Sequence, residues 1–104
     1  VSKHEFSIIC YSPALPVKWS DTVVVGYLMY RKNPIWGIYS NPNESDHLVV
    51  TQLFDLKPMP YKGRSYICPT QTREVVVHSI RKAVDFLRSI VAVEFSQECT
   101  EVVV

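Results

Sequence analysis

A single change of hydrophobic period, late in the chain, constrains the fold more than any other feature. Upstream of it, apolar residues come in short runs rich in Val, Ile, Tyr and Phe, and prolines at positions 13, 16, 34, 42, 58, 60 and 69 interrupt them. Proline locks φ and lacks the N–H donor, so a long helix does not thread through such a segment. Later, Val77, Ile80, Val84, Leu87 and Val91 recur at spacings of three and four, while His78, Arg81, Lys82, Asp85 and Arg88 take the opposite side. That pattern predicts one amphipathic helix. Thr72 is the expected N-cap, Glu74 lies in the expected first turn, and Arg88 sits near the other end, within reach of Asp85 three residues before it.

The runs before the switch read as strands. Glu5 to Tyr11, Asp21 to Arg31, Ile35 to Ser40 and His47 to Leu56 are bounded by turn formers and rich in β-branched and aromatic residues, which predicts four consecutive strands. In the second, Val23, Val25, Tyr27 and Met29 alternate with Val24, Gly26, Leu28 and Tyr30, so both faces are apolar and the strand belongs inside a sheet. Lys32-Asn33-Pro34 is short enough for a hairpin link, and a meander is the simplest order. Lys57 to Gln71 carries four breakers, Pro58, Pro60, Gly63 and Pro69, and reads as a long surface loop with one short strand at Ser65 to Cys68. Val91 to Phe95 fits either an extension of the helix or a strand, and Thr100 to Val104 fits an edge strand or an ordered tail. The expected class is α+β, a mostly antiparallel sheet of four to six strands packed on one long amphipathic helix in the C-terminal half.

Size and charge exclude several function classes. A chain of 104 residues buries about two-thirds of its unfolded surface, enough for one core but not for two lobes and a cleft between them, so a single domain is expected over residues 1–104. Eleven Lys and Arg against ten Asp and Glu give a formal charge of +1, too little for a global field that gathers polyanions or anionic membranes. No apolar run approaches the roughly 20 residues that span a bilayer, so no membrane partner is expected. The three cysteines, Cys10, Cys68 and Cys99, are odd in number and form no Cys-x-x-Cys pair. With no signal-like segment after Val1, which reads as a trimmed start, they favour an intracellular, reducing location.

Catalytic and metal-binding chemistry finds little support. His4, His47 and His78 stand at no ligand spacing to one another or to a cysteine, so neither a metal nor any other cofactor is expected. Cys10 follows Ile8-Ile9 and reads as a small buried hydrophobe, whereas Cys68 lies beside a loop and is the better thiol nucleophile. Gly26, Gly37 and Gly63 are isolated and build no phosphate cradle.

The richest constellation is the loop from Lys57 to Tyr66. It interleaves Lys57, Lys62 and Arg64 with Tyr61 and Tyr66 around Gly63. Between Lys57 and Lys82 six basic residues, adding Arg73, Arg81 and Lys82, face one acidic residue, Glu74. Tyrosine, methionine and arginine are enriched at protein interface cores, so the leading expectation is a non-enzymatic interaction module that binds and regulates a protein partner through this loop. The alternative is single-stranded nucleic acid, with the loop's rings stacking on bases and Arg73, Arg81 and Lys82 on phosphates. A second alternative is a small hydrolase or nuclease using Cys68 or a histidine. Homodimerisation through an edge strand is compatible with all three. The order of elements is shared by several single-strand-binding folds and by many unrelated ones, so it transfers no functional residue.

Overall fold

The computed structural model describes residues 5–18, 20–58, 65–68 and 73–104. Within them the chain runs β1 (Phe6–Pro16), β2 (Val23–Tyr30), β3 (Asn33–Asn41), β4 (Glu44–Gln52), β5 (Asp55–Pro58), β6 (Ser65–Cys68), β7 (Glu74–Val77), α1 (Ile80–Phe95) and β8 (Cys99–Val103). The main sheet has six strands in the order β7-β4-β3-β2-β1-β8, and β5 with β6 forms a separate two-stranded sheet. The expected α+β class, with its antiparallel meander from β1 to β4, is what the chain adopts. One edge departs from it: β8 returns from the helix to lie parallel to β1, pairing Phe6 with Cys99 and Cys10 with Val103.

Turn chemistry and several register shifts, one of them at Ile35, set the pairing. Tyr30 pairs with Asn33, so Arg31 and Lys32 form the β2–β3 turn and Asn33-Pro34 already belongs to β3. Arg31 takes φ 57°, the left-handed conformation that tight hairpins demand. Pro34 is tolerated in an inner strand because the ladder shifts register between Leu28 and Met29, and a bulge is where a residue without an N–H fits. The extra residue is Ile35. Its carbonyl accepts from Leu53 N at 2.8 Å and Phe54 N at 3.2 Å. That ends β4 at Gln52 and turns the chain into β5, which divides the strand expected from His47 to Leu56.

The helix starts later than its apolar pattern suggests. Ser79, in extended backbone, accepts a hydrogen bond from Lys82 N and is the N-cap. Thr72 lies outside the described residues, and Glu74 sits in β7 rather than in a first turn. The segment Glu74-Val75-Val76-Val77 carries three β-branched valines, and β4 offers it an open edge, pairing Val49 with Val76 and Val50 with Val75. Sheet hydrogen bonds and branched side chains outweigh the helical spacing there. Residues 91–95 are helical, and the helix closes at Ser96 with φ 52°, the left-handed C-cap. Arg88 does not pair with Asp85; it reaches Glu101 of β8 at 3.0 Å, while Asp85 faces Arg81 at 3.9 Å.

The core lies between α1 and one sheet face. Ala83, Val84, Leu87 and Val91 are buried under the helix against Phe6, Ile8, Leu28, Trp36, Ile38 and Val50. Each such large side chain contributes about 1.5–3 kcal/mol through removal from water. Trp36 meets Phe86 edge to face at 5.6 Å, and Phe6 stacks on Phe95 at 5.0 Å. Leu56 is buried in this cluster and Ile67 packs on it, which roots the β5–β6 hairpin in the body.

Candidate interaction surface

The loop singled out in the sequence is the connection of a hairpin. Lys57 pairs with Tyr66 across β5 and β6, and Pro58 pairs with Ser65 one step further out. Lys57 is exposed. Tyr61, Lys62 and Arg64 lie outside the described residues. Two of the five loop residues are thus backbone partners in one ladder, one residue beyond the buried Leu56 that anchors the hairpin.

The helix-side cations are not gathered there. Arg73 Nη1 and Nη2 donate to the two carboxylate oxygens of Glu94 at 3.0 and 3.2 Å, and Nε donates to Gln52 Oε1 at 2.9 Å. Its guanidinium also lies over the Trp36 ring, 5.1 Å from the centroid. Hydrogen bonding to Glu94 pushes the Arg73 pKa further up. This is a clamp joining the entry of β7 to the last turn of α1. Arg81 stands near the other end of the helix, shared between Asp85 at 3.9 Å and Glu101 at 3.6 Å. Thirteen residues separate Arg81 from Glu94, or about 20 Å along the axis. Lys82 is exposed in the first turn. The helix-side members of the basic excess are therefore divided in space, and Arg73 and Arg81 are turned toward carboxylates of the same chain.

Sequence reasoning missed the sheet face opposite the helix. Successive strand residues point to opposite faces, so the row Val102, Ile9, Tyr27, Gly37, Thr51 runs across five strands on the helix-free side. Tyr39, Val49 and Val76 form a second row beside it. Tyr11 meets Tyr27 edge to face at 6.2 Å. The Tyr39 ring folds over Gly37, where a β-carbon would come 2.5 Å from Cε2. Burial first, and then the charge and hydroxyl of Tyr27, raise the Tyr39 pKa, so the phenol stays protonated as a hydrogen-bonding group. The alternation of β2 carried part of this signal, because it showed apolar residues on both faces. The other part, which tyrosines come together, depends on register. At one end of this face a cleft of about 290 Å³ is lined by Thr22, Tyr39, Asn41, His47, Val49 and Thr51.

Two of the histidines converge on Asp46. His47 Nδ1 lies 2.9 Å from Asp46 Oδ1, and His78 Nδ1 lies 3.1 Å from the Asp46 carbonyl oxygen. Both oxygens only accept, so each ring donates from Nδ1. The bond from His47 is the main reason the Asp46 carboxyl is held below its ordinary range. His78 precedes the helix rather than riding on its solvent face, and His4 is outside the described residues. Among the described residues, no group of three or more His, Cys, Asp or Glu is placed to hold a metal ion. All three cysteines are free thiols, Cys10 and Cys99 buried and Cys68 half-buried. Burial raises the pKa of Cys10 and of Cys99. Trp36 is a core residue at 2% exposure, and Trp19 lies outside the described residues. Among the described residues, no helix is long and apolar enough to cross a membrane. Comparison with family models, with curated proteins and with solved structures finds no match for this chain.

Proposed function

We propose that this chain is a non-enzymatic interaction module that binds and regulates a protein partner through the β5–β6 hairpin. The observation that carries this reading is the cross-strand pairing of Lys57 with Tyr66 in a two-stranded sheet separate from the main one. Leu56 and Ile67 anchor the two strands that flank the segment bearing Tyr61, Lys62 and Arg64, so part of the ordering entropy of those strands is already spent before binding. Aromatic and arginine anchors of this kind carry most of the energy at protein interfaces. Arg73 and Arg81, each turned toward a carboxylate of its own chain, favour a protein over single-stranded nucleic acid.

The test begins with capture on the immobilised domain and identification of the bound species by mass spectrometry. The purified partner is then titrated against wild type and the combined Tyr61→Ala, Arg64→Ala and Tyr66→Ala variant. Loss of about 100-fold or more in affinity is expected, as for removal of a hot-spot cluster. Unchanged affinity in the triple variant refutes the assignment. Binding that falls steeply with salt, and that nuclease treatment abolishes, transfers the hairpin to nucleic acid.

A further inference from the structure

The helix-free face of the main sheet has the size and chemistry of a whole interface. Antiparallel sheets with one solvated side normally place polar residues there. Here that side carries Tyr27, Met29, Tyr39, Val49, Val76 and Val102, the last two 57% and 45% exposed. Charge lies toward its margin: Glu74 stands at the corner on β7, Arg31 with Lys32 occupy the β2–β3 turn, and His47 with its partner Asp46 stands at the cleft end of β4.

Two arguments identify what covers such a face. The first is area. Six strands about 4.8 Å apart, roughly eight residues long at about 3.3 Å each, span about 25 by 26 Å, or roughly 650 Å² in projection. Side-chain relief makes the accessible area larger than the projection, which brings it to the ~800 Å² per partner of a standard specific interface. The second is charge. A strongly charged partner finds no counter-charges among Ile9, Tyr27, Tyr39 and Val49 in the middle of this surface, whereas a second copy brings the same uncharged, tyrosine-bearing centre and incurs no repulsion there. Two-fold symmetry asks for that self-complementarity, since one patch must serve both subunits.

We propose that this chain forms a homodimer in which the two sheets pack face to face on the side opposite α1, with the helices outermost. The two inner faces interleave as in a β-sandwich, about 10 Å apart and crossed by about 30°. The Tyr11, Tyr27 and Tyr39 cluster lies within the seam, and the β5–β6 hairpins remain outside it.

Sedimentation velocity over a concentration series tests this. Wild type passes from monomer to dimer with a midpoint in the micromolar range or below, the span that interfaces of this size cover. Tyr27→Lys puts a charge at the middle of the seam twice per dimer and raises the dissociation constant by about 100-fold or more. Val76→Lys changes a residue that is already 57% exposed, so folding is not at stake, and it shifts the equilibrium in the same direction. Circular dichroism confirms that both variants are folded. A chain that stays monomeric at every concentration overturns the proposal. So does a dimer that survives both lysines, including one held instead by pairing of the β8 edges. The triple hairpin variant still dimerises, which keeps this outcome separate from that of the hairpin assignment.

Discussion

Replacing Arg73 by alanine tests whether its contacts form a structural clamp or an ornamental surface pair. Three interactions are lost together. Gln52 is 3% exposed, and stripping its side-chain oxygen of the Arg73 donor costs about 1–3 kcal/mol in an unsatisfied buried acceptor. The Glu94 pair is half exposed on the arginine side and one-third exposed on the other, so screening limits it to about 0.2–1 kcal/mol. The guanidinium over Trp36 adds about 0.5–1 kcal/mol. Together these give about 3 kcal/mol, most of it from Gln52 and Trp36 rather than from the ion pair. With a urea m-value of about 1–3 kcal/mol/M, the midpoint falls by roughly 1–3 M. Glu94→Gln removes only the ionic part and lowers stability by no more than about 1 kcal/mol, a difference that salt erases because screening already weakens the wild-type pair. Arg73→Ala retains its larger penalty in salt. Equal midpoint shifts for Arg73→Ala and Glu94→Gln refute the reasoning, because they leave nothing for the buried amide or the ring.

Two other predictions concern backbone approach and thiol chemistry. Gly26→Ala drives a methyl group into the Ile9 carbonyl of β1, a fixed backbone atom, whereas Gly37→Ala meets the Tyr39 ring, which can swing away. Chemical denaturation should therefore show Gly26→Ala as the costlier change, by about 1 kcal/mol or more, and the reverse order contradicts the register. Iodoacetamide at neutral pH should alkylate Cys68 well before Cys10 and Cys99, because burial both shields the latter two and disfavours their thiolates. Their folded pKa values are raised, so they contribute stability that is fully present below the unfolded value of about 8.5 and is lost as pH rises toward the folded values. A denaturation midpoint that rises across that alkaline window contradicts this.

The local part of the fold was legible in the sequence because its causes are local. Alternation in β2 and the runs around it specify strands, and the recurrence of Val84, Leu87 and Val91 specifies a helix whose apolar stripe must be covered. That is enough for an α+β domain with one sheet face under one helix, and for a punctuated segment from Lys57 to Gln71 with a short strand at Ser65 to Cys68. Where the helix begins was not legible. Val75, Val76 and Val77 satisfy a strand and a helical stripe equally well in one dimension, and only the open edge of β4 breaks the tie. The parallel return of β8 onto β1 and the bulge at Ile35 that ends β4 are settled by hydrogen bonds between segments far apart in the chain.

The same division runs through the candidate surface. Residue types marked the Lys57 to Tyr66 segment, and the β5–β6 pairing, a short-range contact, places its two ends together. The helix-side cations behaved differently, because a sequence counts charges without their partners. Folding sets Arg73 against Glu94 and Gln52, and Arg81 between Asp85 and Glu101, so these two members of the basic excess become internal clamps at opposite ends of α1. Tyr11, Tyr27 and Tyr39 are scattered along three strands and acquire a common face only through register. Periodicity dictates which side of each element is apolar. Tertiary pairing alone decides which of those sides the chain covers for itself and which it leaves open.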